Sequence, residues 1–483
     1  MTAVAETPAR DLYVGGAWRP AAAGATFAVH DPATGAQIAA VADAEPADGL
    51  AALDAAVAAG PAWAATPARE RADLLRAWFD ALVAQADELA ELITLEMGKP
   101  LAEARGEIAY AADFVRWFAE EAVRIDGTAA LAADGCAELT TLREPVGPCL
   151  LVTPWNFPLA MIARKLAPAL AAGCTAVVKP AHQTPLTALA TVRMLVELGL
   201  PPGVVNVVPS TRAPGLVGAL LRDPRLRKLS FTGSTAVGRA LLAQAAPNVL
   251  RVSMELGGNA PFVVLEDADV EAAVEGALVA KLRNNGEACT AANRFLVAEA
   301  VEPRFSARLA ERMGDLRIGA GADPETQLGP LIERRAVERV DELVRDAVAA
   351  GAEVLTGGAP LDLAPGTFYP PTVLRGAAPS ARIWREEIFA PVAPVRAVAS
   401  DAEAIALAND SEVGLAGYVY GGDLRRALRV ARALEVGMVA VNRGVVSNAH
   451  APFGGVKHSG LGREGGREGI DEYLETKFLA VAR

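Results

Sequence analysis

Between residues 147 and 245 the sequence alternates short apolar runs with longer segments of helical periodicity, and this alternation restricts the fold more than any other feature. The runs predicted to be strands are GPCLLV, CTAVVK, VVNVVP and KLSFTG. The segments predicted to be helices are PLAMIARKLAPALAAG, TPLTALATVRMLVELG, a stretch near 213–222, and STAVGRALLAQAA. Because successive βαβ units place parallel strands side by side with helices on both faces, the sequence predicts a doubly wound parallel sheet of the α/β class.

A second αβ region is predicted from about residue 258 to 440. No repeat or low-complexity linker precedes it, so the boundary near 256 rests on the order of the motifs alone. Upstream of both regions, short strands and turns are expected in 11–43. One long helix should follow, beginning at Thr66 and ending at Gly98, and a further helix should span roughly 100–124.

The segment 128–145, TAALAADGCAELTTLREP, predicts a β-hairpin that turns at Asp134 and Gly135. It interrupts the first αβ region. It is either an arm that pairs with another subunit or an ordinary surface hairpin.

The charge and the cysteines limit the partners and the compartment. The 483 residues carry a net charge of −12, which disfavours nucleic acid and anionic membranes as partners. Residues 1–11 lack the apolar core of a signal peptide, and no stretch reaches the length of a membrane span. The four cysteines form no CxxC pair, so neither disulfides nor a zinc site is expected. A reduced, cytoplasmic protein is the prediction.

Cys289, in NNGEACTAANR, is the candidate nucleophile. Cys149 and Cys174 lie in apolar segments and are expected to be small buried hydrophobes. Cys289 instead follows a polar loop that contains glycine and has no core periodicity. Such a loop is expected to expose the thiol to backbone donors that favour the thiolate.

Three other motifs contain groups that could assist a nucleophile. Glu255, before the Gly-Gly pair of MELGGNAPF, is flanked by apolar segments, and burial would raise its pKa towards that of a general base. Asn156, in TPWNFP, is either a turn residue or an amide donor for an oxyanion. FTGSTAVGR places Gly233 and Gly238 where a strand becomes a helix, a position suited to phosphate.

Together the motifs resemble the aldehyde dehydrogenase superfamily over essentially the whole chain. They occur in the family's order: PWNFP, KPA…TP, FTGS…G, ELGG, GEACTAANR, EEIFAPV and PFGGVKHSGLGREG. The resemblance implies three parts. Residues 1–125 and 146–256 would bind the dinucleotide, 257–442 would form an α/β catalytic domain, and 126–145 with 465–483 would form a small β oligomerisation arm. It also implies a homodimer or homotetramer.

The resemblance implies roles for individual residues. Cys289 resembles the nucleophile, Asn156 the oxyanion donor, Glu255 the base that activates water, and Lys165 and Glu464 resemble positions tied to proton transfer. The implied cofactor contacts are Thr153, Trp155, Lys179, His182, Gly233, Ser234, Gly238, Glu387 and Phe389. The implied reaction forms a thiohemiacetal on Cys289, transfers hydride to NADP or NAD, and hydrolyses the resulting thioester, with no metal required.

Within the family the sequence is most similar to succinate-semialdehyde dehydrogenases. Arg164, Arg283 and Ser447 carry this similarity, since relatives with these groups grip the distal carboxylate of the substrate. Arginine offers a bidentate fork for such a group. The alternative is that both arginines are solvated helix charges. Glutarate semialdehyde remains an alternative substrate, because one methylene gives only about 1–3 kcal/mol of discrimination.

Three positions depart from the family pattern. Ala291 stands where many semialdehyde dehydrogenases have a second cysteine, so that redox switch is absent. Ala390 replaces a glycine in the loop of Glu387 and Phe389. His182 stands where NAD-preferring relatives usually have a glutamate that repels a 2′-phosphate. We therefore expect NADP to be used well and both cofactors to be accepted.

Three other functions compete with this prediction. A CoA-acylating enzyme would not need Glu255 as a water-activating base. A hydrolase that uses Cys289 without a cofactor would leave FTGSTAVG, Lys179 and Glu387 without a role. A non-catalytic binding protein would be expected to lose the cysteine or the glutamate.

Overall fold

The computed structural model describes residues 10–361, 363 and 365–483; most of the N-terminal segment examined for a signal peptide lies outside them. The strands are β1 Leu12–Val14, β2 Ala17–Arg19, β3 Thr26–His30, β4 Gln37–Ala42, β5 Thr128–Leu131, β6 Ala137–Pro145, β7 Cys149–Val152, β8 Ala176–Lys179, β9 Val205–Val207, β10 Lys228–Thr232, β11 Arg251–Glu255, β12 Ala260–Val264, β13 Ala292–Ala298, β14 Glu353–Thr356, β15 Thr372–Arg375, β16 Val392–Val398, β17 Val413–Gly414, β18 Ala416–Tyr420, β19 Met438–Val441, β20 Val456–Lys457, β21 Gly460–Leu461 and β22 Leu474–Ala482. The helices are α1 Pro46–Ala65, α2 Ala68–Ala84, α3 Ala86–Met97, α4 Leu101–Glu121, α5 Ala160–Ala172, α6 Pro185–Glu197, α7 Ala213–Arg222, α8 Thr235–Ala245, α9 Val270–Leu282, α10 Glu302–Gly314, α11 Arg334–Ala349, α12 Arg382–Arg385, α13 Asp401–Asn409, α14 Leu424–Ala433 and α15 Glu468–Asp471.

The first large sheet confirms the predicted doubly wound architecture. Its strand order is β2-β1-β9-β8-β7-β10-β11-β21. The strands β7 to β11 pair in parallel, whereas β1 and β21 join the edges antiparallel. Strands β7 to β10 are buried along their whole length, as expected when helices cover both faces.

The second αβ region forms a separate sheet of order β14-β15-β16-β13-β12-β18-β19. All its pairs are parallel except the β14–β15 edge pair. All seven of its strands lie inside the range 257–442, the first being β12 and the last β19. The role of that range as a catalytic domain stays a prediction.

A third sheet, of order β22-β6-β5, contains the predicted hairpin. Strands β5 and β6 pair antiparallel across a turn in which Gly135 has φ +70°, and β22 pairs with β6 over nine residues. The sheet leaves large apolar side chains exposed, namely Leu131, Leu142, Phe478, Leu479 and Val481. By the strand register, all of these except Phe478 lie on one face of the sheet. An exposed apolar face of this kind is typical of a surface that another chain covers.

The single helix expected from Thr66 to Gly98 is wrong. Two helices occupy this span, α2 and α3, separated at Gln85, and the residue before α2 is Pro67 rather than Thr66. Both helices pack against α4. The apolar spacing stays in phase across the break, so the change of direction depends on tertiary packing and has no local signal. Gly98 does end α3, with φ +91°.

Among the described residues, no helix is both long enough and apolar enough to cross a membrane.

Candidate active site

The candidate residues gather at the carboxyl edge of the first sheet. Thr153 and Asn156 follow β7, Lys179 ends β8, Gly233 follows β10 and Glu255 ends β11. Carboxyl ends of parallel strands share one edge, where ligands bind in doubly wound sheets. The loop of Cys289 approaches from the second sheet, and a Cβ on Gly258 would lie 2.4 Å from the Cys289 carbonyl oxygen. The two glycines of ELGG thus let the two parts of the chain meet.

A left-handed turn presents Cys289. Asn284, Asn285 and Gly286 all have positive φ, of 59°, 57° and 79°. The Asn285 amide holds this turn by donating to Pro330 O at 3.0 Å and accepting from Gly329 N at 2.8 Å. The turn places the thiol between α9 and β13 instead of inside a strand.

Burial makes the Cys289 thiol a weak acid in the free protein. Desolvation raises its pKa to about 12, although Arg164 acts in the opposite direction. Among the described residues no backbone N–H donates to its sulfur, so the expected stabilisation of the thiolate by loop amides is not found. The nucleophile therefore needs a proton acceptor beside it.

Asn156 is fixed from three sides. Its Nδ2 donates to the backbone oxygen of Glu287, two residues before Cys289, at 2.9 Å. Its backbone carbonyl accepts from Asn284 Nδ2 at 2.9 Å and from Lys99 Nζ at 2.8 Å. One amide hydrogen is used in these contacts, and the second remains for an oxyanion formed at Cys289.

Lys99 and Glu107 support Asn156, and the sequence analysis missed them. Both side chains are fully buried, and they form an ion pair. Glu107 Oε1 also accepts from Leu159 N at 2.8 Å and Ala160 N at 3.1 Å, at the start of α5. The pair therefore connects α4 to the Asn156 loop. For Glu107 the sequence signal was a charge at an otherwise apolar position of α4, whereas Lys99 lies in the short connection between α3 and α4.

Glu255 has the environment of a general base. The carboxyl is buried, and Oε2 has no hydrogen-bond partner among the described residues. Burial, followed by repulsion from Glu464, raises its pKa well above the usual value, against the attraction of Arg164 and Lys165. A raised pKa makes the ionised carboxylate a stronger base, which suits it to accept a proton.

Lys165, Arg164 and Glu464 form one buried cluster. Lys165 Nζ contacts Glu464 Oε1 and donates to Ser230 Oγ at 3.1 Å. Arg164 Nη2 lies 2.6 Å from Glu464 Oε2. Burial would raise the pKa of Glu464, but the two cations prevail and lower it. Glu464 is thus an anion that partly neutralises Arg164, one of the residues predicted to bind the substrate carboxylate.

Arg283 is the less constrained of the two arginines. Its guanidinium lies 5.3 Å from the Tyr110 ring centre and 5.1 Å from that of Phe157, and it forms no ion pair within the described residues. Ser447 lines a cavity of about 210 Å³ together with Phe453. The Phe453 ring lies 3.8 Å from the Arg164 guanidinium carbon, so Ser447 and Arg164 border neighbouring space.

The predicted cofactor residues are compatible with a dinucleotide. Buried Lys179 has no ion-pair partner in the described chain, and burial lowers its pKa to about 8 while Asp43 opposes the shift. Ser234 caps α8 by accepting from Val237 N at 3.4 Å. A Cβ at Gly233 or Gly238 would lie 2.5 Å from the side chain of Phe231 or Leu256, so a larger residue at either position would have to displace that side chain.

The residues predicted to contact the nicotinamide ring and its ribose lie nearer Cys289. Glu387 Oε1 accepts from Gly258 N at 3.0 Å, and burial raises the Glu387 pKa to about 7. Phe389, with φ +55°, packs edge-on against Trp155 with ring centres 5.5 Å apart. Backbone atoms of Ala390 come so close to Gly286 that a Cβ there would lie 2.5 Å away. The Glu387 loop and the Cys289 turn are therefore in direct contact.

His182 lies close to the predicted adenosine site. Its ring stands edge-on to Phe27, with centres 6.4 Å apart. Burial, followed by the nearby Lys179 charge, lowers its pKa below the ordinary value. The ring is therefore neutral at pH 7 and can donate one hydrogen bond.

Comparison with known proteins gives a consistent result. Residues 18–479 match the model of the aldehyde dehydrogenase family. The succinate-semialdehyde dehydrogenase of Paenarthrobacter nicotinovorans is 57% identical over 92% of this chain and 99% of its own length. The glutarate-semialdehyde dehydrogenase of Pseudomonas aeruginosa is 50% identical over 98% of this chain and 97% of its own. The crystal structure of an Escherichia coli NADP-dependent enzyme superimposes with a TM-score of 0.97, at 47% identity, over 98% of both chains.

Proposed function

The chain belongs to the aldehyde dehydrogenase family, and from that premise we propose that it oxidises succinate semialdehyde, or a close ω-carboxy aldehyde, to the dicarboxylate with NADP or NAD. The observation that carries the choice of substrate is Arg283, a guanidinium without an ion-pair partner in the described chain, close to the nucleophile. Arginine in such a position binds a carboxylate through two parallel hydrogen bonds.

The first step is addition of sulfur to the aldehyde. Cys289 gives its proton to Glu255, and the thiolate attacks the carbonyl carbon to form a thiohemiacetal. The carbonyl oxygen becomes an oxyanion, which accepts from Asn156 Nδ2 and the Cys289 backbone N–H. Donors held in place before the reaction stabilise this charge without reorganisation, and each is worth about 2.7–4 kcal/mol.

Collapse of the thiohemiacetal leaves a thioester on Cys289. The nicotinamide, when bound, accepts the hydride that leaves the former aldehyde carbon. Lys179, Ser234, Glu387 and Phe389 would hold the cofactor, each at the position described above. Once Glu255 has lost the proton that it took from Cys289, it takes a proton from water, whose oxygen attacks the thioester carbon. Glu255 returns this proton to the departing thiolate, and the released carboxylic acid loses its own proton to solvent. Lys165 and Glu464 offer a route for the proton away from Glu255.

A substrate panel tests the proposal. Succinate semialdehyde, glutarate semialdehyde, butanal and benzaldehyde are compared by the absorbance of reduced nicotinamide, with each cofactor. We expect kcat/KM to be highest for one of the two carboxylated aldehydes. A higher value for butanal would exclude the proposed substrate class. Similarity to both semialdehyde dehydrogenases supports either chain length, and glutarate semialdehyde is the second candidate.

Transfer of the acyl group to CoA instead of water is the rival reaction. Glu255 is buried with one oxygen unpartnered, as a water-activating base requires. Omitting CoA should therefore leave the rate unchanged. We also propose that the β22-β6-β5 sheet joins subunits into a homodimer or homotetramer, because its exposed face is apolar.

Replacing Arg283 with alanine is expected to lower the ratio of kcat/KM for succinate semialdehyde to that for butanal by about 30-fold or more. Loss of one partner of a buried charge pair costs about 2–5 kcal/mol. Arg164→Ala should impair both substrates, since it also leaves Glu464 with one cation fewer. Arg283→Lys is the matched control, because it keeps the charge and loses the fork. An unchanged ratio in Arg283→Ala would show that this arginine is structural.

Replacing His182 with glutamate is expected to shift preference from NADP towards NAD, mainly through KM for the cofactor. The new carboxylate would accept from the ribose hydroxyls and repel a 2′-phosphate beside Lys179. In the wild type the lowered His182 pKa postpones protonation, so any gain in NADP use should appear only below pH 6.5. His182→Gln controls for loss of the ring. If the wild type does not use NADP, or if the ratio of NADP to NAD use is unchanged in His182→Glu, then His182 does not contribute to recognition of the 2′-phosphate.

A further inference from the structure

Two hydrogen-bond donors near the candidate active site are buried without a partner. The Tyr110 hydroxyl oxygen and Arg164 Nε both lack a hydrogen bond among the described residues. An unmade hydrogen bond of a buried polar group costs about 1–3 kcal/mol. Arg164 Nη2 has the Glu464 carboxylate 2.6 Å away, whereas nothing compensates the Tyr110 hydroxyl.

Neighbouring rings fix the position of Tyr110. It lies on α4 one turn before Phe114, so both side chains project from one face of the helix. The two rings meet edge-to-face, with centres 4.9 Å apart and an interplanar angle of 80°. The Arg283 guanidinium covers the Tyr110 ring at 5.3 Å. These contacts restrict rotation of the ring and hold the hydroxyl in place.

Tyr110 lies close to both arginines. Its phenol is among the groups that act on Arg164, whose pKa is lowered by burial but raised by Glu464 first and then by Tyr110. Arg283 lies on the ring of the same tyrosine, and Phe114 lies under Arg164 at 5.6 Å. Tyr110 therefore contacts Arg283 directly and approaches the surroundings of Arg164 through Phe114.

We propose that the Tyr110 hydroxyl donates a hydrogen bond to the distal carboxylate of the substrate and is thereby a specificity-determining residue. This inference rests on the proposed function. A carboxylate has about four acceptor sites. Because Arg164 Nη2 is already paired with Glu464, the two arginines together do not occupy all four, and a further O–H donor can be accommodated. A neutral aldehyde offers no acceptor there, so binding it would leave the hydroxyl unpaired and would incur the cost of its burial.

Tyr110→Phe isolates the hydroxyl, because phenylalanine keeps both the edge contact with Phe114 and the face under Arg283. We expect the ratio of kcat/KM for succinate semialdehyde to that for butanal to fall about ten- to 100-fold, as for a hydrogen bond to a charged group. The fall should lie in KM, with kcat for succinate semialdehyde little changed. A role in packing alone would instead lower both substrates together and leave the ratio unchanged.

Tyr369→Phe is the matched control. Its hydroxyl is also buried and unpartnered among the described residues, but the side chain packs in the core of the second sheet beneath α11. The ratio should be the same as in the wild type. If the wild type prefers succinate semialdehyde and Tyr110→Phe retains that preference, the inference about Tyr110 is wrong. If the wild type shows no preference for carboxylated aldehydes, the proposed function itself fails.

Discussion

Replacing Cys289 with alanine is expected to lower aldehyde oxidation by roughly four to six orders of magnitude while cofactor binding is retained. The variant removes the only atom that can form the thiohemiacetal. The cofactor residues lie on other segments and are unaffected. Turnover is measured by the absorbance of reduced nicotinamide, and cofactor binding by fluorescence titration.

Cys136→Ala provides the comparison for this variant. Cys136 is an exposed, free cysteine beside the hairpin turn, so its loss should leave both measurements unchanged. Retention of more than a few per cent of wild-type turnover in Cys289→Ala would contradict the assignment of the nucleophile.

Replacing Glu255 with glutamine is expected to slow steady-state turnover by about 10²- to 10⁴-fold, the usual contribution of a general base. If the thiol can still lose its proton to solvent, one equivalent of reduced cofactor should form in a burst before the slow phase. Deacylation should be slowed more than acylation, because water is a much weaker acid than a thiol and depends more strongly on the base to remove its proton. Rapid-mixing absorbance measurements separate the two phases.

Glu255→Asp is the control for Glu255→Gln, since it keeps a carboxylate on a side chain that is one methylene shorter. It should recover part of the deacylation rate. A Glu255→Gln enzyme that loses the burst but still hydrolyses a preformed thioester rapidly would contradict the role proposed for Glu255.

The periodicity of the sequence was sufficient to predict the first sheet and its helices. Short apolar runs such as CLLV and AVVK, when helices of ten residues or more separate them, indicate the buried parallel strands of a doubly wound sheet. The positions of the candidate residues Asn156, Gly233 and Glu255 could also be predicted, because each lies at or just after the end of such a strand. Strand ends can be read from local sequence, and the loops that follow parallel strands share one edge.

The remaining features depend on contacts between distant segments. The break at Gln85 keeps the apolar spacing in phase and so leaves no trace in the sequence. Lys99 donates to the Asn156 carbonyl, 57 residues away in the sequence, and Lys165 contacts Glu464, 299 residues away. Burial of Cys289, which makes its thiol a weaker acid, likewise results from the meeting of two sheets.

The distance along the chain between Lys165 and Glu464 also affects the order of events during synthesis. Both Arg164 and Lys165 leave the ribosome about 300 residues before the carboxylate that compensates them. At typical rates of about 5–20 residues per second, this interval lasts tens of seconds. Two cations cannot be buried without a counter-ion except at a cost of several kcal/mol each. The nascent first sheet should therefore keep its α5 face hydrated, and accessible to chaperones, until the segment containing Glu464 has been made.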